Sequence, residues 1–100
     1  MISLNEGNFN TIEKQSLSLV YFWASWCGPC LDYFPILEQF EKDFSDIIVS
    51  KDNVEENQEL SRKYSIIVVP TLMFFKKGKP IKTMIGTQLK DHLYEIVKSI

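Results

Sequence analysis

The sequence predicts an α/β fold in which a mixed central β-sheet is flanked by helices on both faces. Three observations predict it. Short runs of β-forming apolar residues alternate with segments of helical periodicity, in the order α, β, α, β, α, β, β, α. The last two strands flank a glycine turn and should pair as an antiparallel hairpin, whereas strands separated by helices should run parallel through crossovers. The chain is 100 residues long, 45% hydrophobic and 24% charged, the balance of one globular domain over residues 1–100 with a modest core.

Each element has a local reason. Residues 8–15 read as a short helix, with Phe9 and Ile12 three apart and Asn5 or Asn8 as cap. Leu17 to Trp23 is rich in β-formers without clean alternation, which suits a central strand buried on both faces. Leu31 to Phe44 has helical periodicity, and Pro35 within it should kink the helix. Ile47 to Lys51 is a second strand. Asn53 to Tyr64 is a polar surface helix with Leu60 and Tyr64 turned inward. Ile66 to Val69 leads to Pro70, then Thr71 to Phe75 forms a strong strand. Lys76 to Pro80 is a turn, Ile81 to Ile85 pairs back, and Gly86 precedes a last helix whose apolar face is Leu89, Leu93, Ile96, Val97 and Ile100. There is room for a small additional strand at Ile2 to Leu4.

Composition narrows the function. A net charge of −2 gives no general attraction to nucleic acid or anionic membranes. No apolar run approaches the roughly 20 residues of a membrane-spanning helix. The first residues are neither basic nor followed by a long apolar run, so no signal peptide is expected and the cytoplasm is the expected compartment. There, two cysteines three apart are more often catalytic or metal-binding than a structural staple.

Those cysteines lie in Trp26-Cys27-Gly28-Pro29-Cys30, where a strand gives way to a helix. Cys27 falls at or just before the helix start, where unpaired N–H groups and a partial positive charge favour a thiolate. Cys30 lies one turn in, more buried and more protonated. One attacking and one resolving sulfur follow. Gly28 should permit close approach, and Pro29 suits a first turn that needs no N–H partner. Lowering a thiol pKa from about 8.5 to about 7 raises its thiolate fraction at pH 7 from roughly 3% to half. Lower basicity removes about fivefold of nucleophilicity, so attack gains only about threefold. The larger benefit is that Cys27 leaves readily when Cys30 attacks it. A purely structural disulfide would close a four-residue loop, worth only about 2 kcal/mol. A zinc site would need further ligands; there is no other cysteine, and His92 stands alone, so no metal is expected.

The sequence resembles the thioredoxin family along nearly its whole length. The resemblance rests on Phe22 to Cys30, Pro35, Val69-Pro70-Thr71, Lys77-Gly78 and Gly86. It implies a thioredoxin fold and protein-disulfide reduction with no bound cofactor. Electrons would come from a thioredoxin reductase, a flavoprotein using NADPH, and pass to disulfide-containing target proteins; a monomer is expected. It also implies a cis proline at Pro70, leaving the Val69 backbone free to pair with an extended target. Trp26, Gly28, Pro29, Val69, Pro70, Ile85 and Gly86 would rim a shallow apolar docking surface. The alternatives are a thioredoxin-like oxidase or isomerase, disfavoured by Gly28-Pro29 where oxidising members usually carry His, and a non-catalytic binding module.

The chain also departs from the family. Members often carry a buried Asp five residues before the active-site Trp; here that residue is Tyr21, which cannot serve as a carboxylate base at pH 7. The matching Lys is Lys51, without its usual acidic partner. Val68 replaces a small residue, often Gly, and Leu31 replaces a frequent Lys. These changes put proton handling and partner choice in question. Elsewhere, Tyr33, Phe34, Phe40 and Phe44 read as core. Glu55, Glu56 and Glu59 read as a solvated face, and Lys76, Lys77 and Lys79 as a hairpin tip. Trp23 is expected to pack, Trp26 to touch a partner, and His92 to have no catalytic role.

Overall fold

A computed structural model describes residues 1–100. The strands are β1 (Ile2–Ser3), β2 (Ser18–Trp23), β3 (Ile48–Asn53), β4 (Thr71–Lys76) and β5 (Lys79–Ile85); the helices are α1 (Asn10–Glu13), α2 (Gly28–Asp43), α3 (Gln58–Lys63) and α4 (Lys90–Ser99). They form one sheet in the order β1-β3-β2-β4-β5. β2 is central, and all of it but Trp23 is buried. It runs parallel to β3, with Tyr21 opposite Lys51 and Phe22 opposite Asp52.

Alternation along β2 sends successive side chains to opposite faces. On one face Leu19 and Tyr21 pack with Leu72 and Phe74 of β4, with Cys30, Tyr33, Leu37 and Phe40 of α2, and with Leu93 and Ile96 of α4. The α2 residues recur every three or four positions, so one helical stripe meets the sheet. On the other face Val20 and Phe22 join Met73, Phe75, Phe9, Ile12 of α1 and Leu60 of α3. Each large apolar side chain buried in these layers contributes roughly 1.5–3 kcal/mol.

Several expectations need correction. β4 runs antiparallel to β2, not parallel. The crossover rule fails because α3 is only six residues long and the chain from Tyr64 to Pro70 reverses its course before β4 begins. α1 is a single turn without a side-chain cap. Asn5 and Asn8 instead exchange backbone-to-side-chain hydrogen bonds with each other at 2.8 and 2.9 Å, satisfying a turn ahead of the helix. The start of the expected Asn53–Tyr64 helix is not helical either: Asn53 ends β3 and 54–56 form a turn, closed by Asn57 N–H donating to the Asn53 carbonyl at 3.0 Å. The last hairpin is tighter than expected, with Lys77 and Gly78 both at positive φ (51° and 81°), as a two-residue turn requires. A Cβ on Gly78 would lie 3.0 Å from Glu13 Cα, so glycine is needed there for space as well. Leu89 precedes α4 and is exposed rather than part of its buried face. α2 is assigned as one helix through Pro35.

Candidate redox site

The site forms where β2 ends and α2 begins. Cys27 is the N-cap of α2, with extended backbone (φ −91°, ψ 102°), and Pro29 occupies the first turn. Cys27 N–H donates to the Ala24 carbonyl at 3.1 Å, closing the turn that delivers the motif. Cys27 Sγ accepts the Cys30 N–H at 3.2 Å, so the sulfur takes the place a serine or aspartate oxygen holds in an ordinary cap. One unpaired helix donor therefore points at this sulfur.

A disulfide joins Cys27 to Cys30, and the Cα atoms lie 5.2 Å apart. Cys27 keeps 6% exposure, and Cys30 is wholly buried. Trp26 beside them is 71% exposed. Gly28 is exposed, and a Cβ there would meet nothing within 4 Å. The chain's own packing thus does not require glycine at this position. Gly86 is different: its φ of +85° lies where side chains are strained, and its N–H donates to the Pro70 carbonyl at 2.8 Å. That bond ties the end of β5 to the Val69–Pro70 peptide, which is cis. Pro70 is buried, and the Val69 N–H and carbonyl make no hydrogen bond within the chain.

Tyr21 is buried behind the disulfide, and its hydroxyl donates to the Cys30 carbonyl at 2.9 Å. Burial, reinforced by neighbouring Tyr33, pushes this phenol well above the ordinary range, so it stays neutral. Tyr33 stacks on Tyr21 with centroids 5.8 Å apart; burial raises its pKa to about 12, and its hydroxyl has no partner. Lys51, opposite Tyr21 in the sheet, forms no ion pair; its ammonium lies 5.5 Å from the Phe34 ring centroid and 5.8 Å from that of Trp23.

Sequence reading missed three features here. Glu55 is not only a solvated residue: its Oε1 accepts the Ser25 N–H at 3.1 Å and the Ser25 hydroxyl at 2.8 Å, fixing a carboxylate beside the motif. Ile67 is 92% exposed and borders an apolar groove beside Trp26. The signal was present in Ile66-Ile67-Val68-Val69, four β-branched residues that belong to no element. Asp52 is a fully buried carboxylate that accepts Asn57 Nδ2 at 3.0 Å and leaves Oδ2 without a partner. It neighbours Phe22 and so lies on the sheet face opposite Tyr21 and the disulfide. No group of three or more His, Cys, Asp or Glu side chains is placed to hold a metal ion.

Comparison with known proteins agrees with this geometry. A family model described as thioredoxin matches residues 1–99. The thioredoxin of Alicyclobacillus acidocaldarius is 43% identical over 94 residues, spanning 92% of this chain and 90% of its own length. That of Staphylococcus aureus is 35% identical over 100 residues, spanning 97% and 94%. Among solved structures, a mutant thioredoxin from Halobacterium salinarum superposes with a TM-score of 0.91 at 30% identity, covering 98% of this chain and 88% of that one. Plasmodium falciparum thioredoxin superposes equally well, at 0.91 and 27% identity, covering 99% and 98%.

Proposed function

The chain belongs to the thioredoxin family and is a thiol–disulfide oxidoreductase with protein-disulfide reductase activity; within that activity we propose that Cys27 is the attacking sulfur and Cys30 the resolving one. The observation that carries this assignment is the N-cap placement of Cys27, which keeps 6% exposure, against the complete burial of Cys30 inside the helix. The Cys30 N–H donates to Cys27 Sγ, and the same bond stabilises the Cys27 thiolate after reduction.

The reaction then balances in two steps. The Cys27 thiolate attacks one sulfur of the target disulfide; that S–S bond breaks, and the departing target thiolate takes a proton. Cys30 loses its proton and attacks Cys27 Sγ. The mixed disulfide breaks, the second target thiol leaves, and the Cys27–Cys30 disulfide forms. Two electrons have passed to the target. Tyr21 is neutral and its hydroxyl is engaged with the Cys30 carbonyl, so it takes no proton in the second step.

The thioredoxin family works with thioredoxin reductase and disulfide-bearing targets. For this chain the reading is a monomer without a bound cofactor, acting in the cytoplasm and recharged by an NADPH-dependent flavoprotein. Its target face is Trp26, Gly28, Pro29, Val69, Pro70, Ile85 and Gly86. The exposure of Trp26 and Ile85 supports that face, as does the unpaired Val69 backbone, which suits addition of an extended strand. The relatives' shared character as thioredoxins favours reduction over the oxidase, isomerase and binding-module alternatives.

The test is a pair of variants in a disulfide-reduction assay. Cys27→Ser is expected to lose activity by a factor on the order of 10³ or more. Cys30→Ser should instead accumulate a mixed disulfide between Cys27 and the target, visible as an added mass. Accumulation in Cys27→Ser would reverse the roles.

A further inference from the structure

Beside the disulfide runs a groove of about 330 Å³ lined by Trp26, Val54, Ile66, Ile67, Val68 and Val69. All six are apolar, and no titratable side chain lines it. It shares Trp26 and Val69 with the proposed target face, so a target that reaches Cys27 passes along it. Ile67 and Val68 form its free wall, 92% and 46% exposed. Neither belongs to the buried core of either sheet face. A second, smaller apolar recess opens on the other side of the same two residues, towards Thr83 and Ile85 of β5. The crest formed by Ile67 and Val68 therefore stands between two apolar hollows, at a place where the fold itself gains little from apolar residues. Exposed apolar clusters of this kind mark interaction surfaces.

One carboxylate is fixed beside the groove. Glu55 follows Val54 in sequence, and Ser25 precedes Trp26; the two are joined by hydrogen bonds of 2.8 and 3.1 Å. A carboxylate is thus held at the Trp26 end, with no cation paired to it. An acidic side chain entering here would lose hydration, find no partner and meet a like charge. An aliphatic or aromatic one would only shed water.

We propose that the Ile67–Val68 crest sets target preference, selecting disulfides in an extended segment that carries an apolar side chain beside the attacked cysteine and disfavouring acidic flanks. This deepens the reductase reading and rests on it. The apolar side chain seats in the groove under Trp26, while the unpaired Val69 backbone holds the segment's main chain.

The experiment uses the reduced protein in single-turnover assays against three substrates. Two are disulfide-linked peptides, one with leucine and one with glutamate flanking the cysteine; the third is 2-hydroxyethyl disulfide, too small to reach the crest. The unmodified protein is expected to favour the leucine peptide by roughly tenfold or more in kcat/KM, the scale set by burying one aliphatic side chain. Ile67→Lys, which removes the apolar wall and offers an acidic flank a counter-charge, should lose most of that preference, Ile67→Leu should keep it, and both should reduce 2-hydroxyethyl disulfide within about twofold of the unmodified rate. Because Ile67 lies outside the core, neither change threatens folding. Equal rates for the two peptides, or a preference that survives Ile67→Lys, would overturn the crest's role. Failure of the unmodified protein on all three substrates would instead overturn the reductase reading.

Discussion

On the sheet face that carries α2 and α4, position 21 holds a phenol; on the face that carries α1 and α3, position 52 holds a carboxylate. Both side chains are fully buried. Tyr21 has its hydrogen bond made, to the Cys30 carbonyl, and burial keeps it neutral. Asp52 has one oxygen bound by Asn57 and the other unpartnered, and burial raises its pKa to about 6. The redox face therefore presents a back wall that does not titrate near neutrality, while the far face carries a group that does. The sheet separates the two. Electron transfer through Cys27 and Cys30 is therefore expected to be insulated from Asp52 protonation, which acts on stability.

The sign of that event follows from linkage. Folded Asp52 holds its proton up to about pH 6, whereas an unfolded aspartate loses it near 3.8. The folded state binds the proton more tightly, so Asp52's contribution to stability falls as pH rises through this window. The full penalty stands above about pH 6 and amounts to roughly 2–3 kcal/mol.

The largest expected effect comes from moving a carboxylate onto the redox face. Tyr21→Asp removes a packed ring and buries a charge beside Cys30, and should destabilise the fold by about 3–5 kcal/mol in urea denaturation. It should also speed attack by Cys30 on the mixed disulfide, since a base then lies behind the resolving sulfur. A slower resolving step would show that a carboxylate at 21 is no help to this site. A smaller effect, opposite in sign, is expected on the far face. Asp52→Asn keeps the acceptor for Asn57 Nδ2 and removes the buried charge, so at pH 7.5 it should raise stability by about 2 kcal/mol and Tm by roughly 10 °C. At pH 4, where Asp52 is already protonated, the gain should vanish; an equal gain at both values would mean that its carboxyl does not titrate in this range.

The smallest effect is the loss of one hydroxyl. Tyr21→Phe removes the bond to the Cys30 carbonyl and should cost about 1 kcal/mol of stability. Its resolving rate in stopped-flow reduction should stay within about threefold, because no base is lost. A tenfold loss would place the phenol in the chemistry.

These two positions also show what the sequence makes readable. Tyr21 and Lys51 were matched to each other through the resemblance to the family, and they do lie opposite each other. The helix start at the cysteine pair was legible because Gly28-Pro29 after a strand specifies one, and Cys27 is the N-cap of α2. Asp52 was not legible. Ser50-Lys51-Asp52 reads as a strand losing its apolar character, so the pattern ends the strand at Lys51. The chain instead continues to Asn53, because Val54 N–H donates to the Trp23 carbonyl at 2.9 Å and Asn57 bridges Asp52 to the Leu4 carbonyl. Those partners lie five and 48 residues from Asp52, and no local pattern announces them. The direction of β4 was hidden for a similar reason, since a short helix followed by an irregular segment does not fix whether a chain crosses over or turns back.

The separation of redox chemistry from acid titration is tested most directly by two pH profiles on the same preparations. Unfolding free energy and the single-turnover rate of target reduction are measured from pH 4.5 to 7.5, for the unmodified protein and for Asp52→Asn. The stability profiles should diverge as pH rises through about 6, with the variant increasingly the more stable, while the rate profiles superimpose. A rate profile that shifts or changes shape in Asp52→Asn would contradict the separation, as would stability profiles that run parallel throughout.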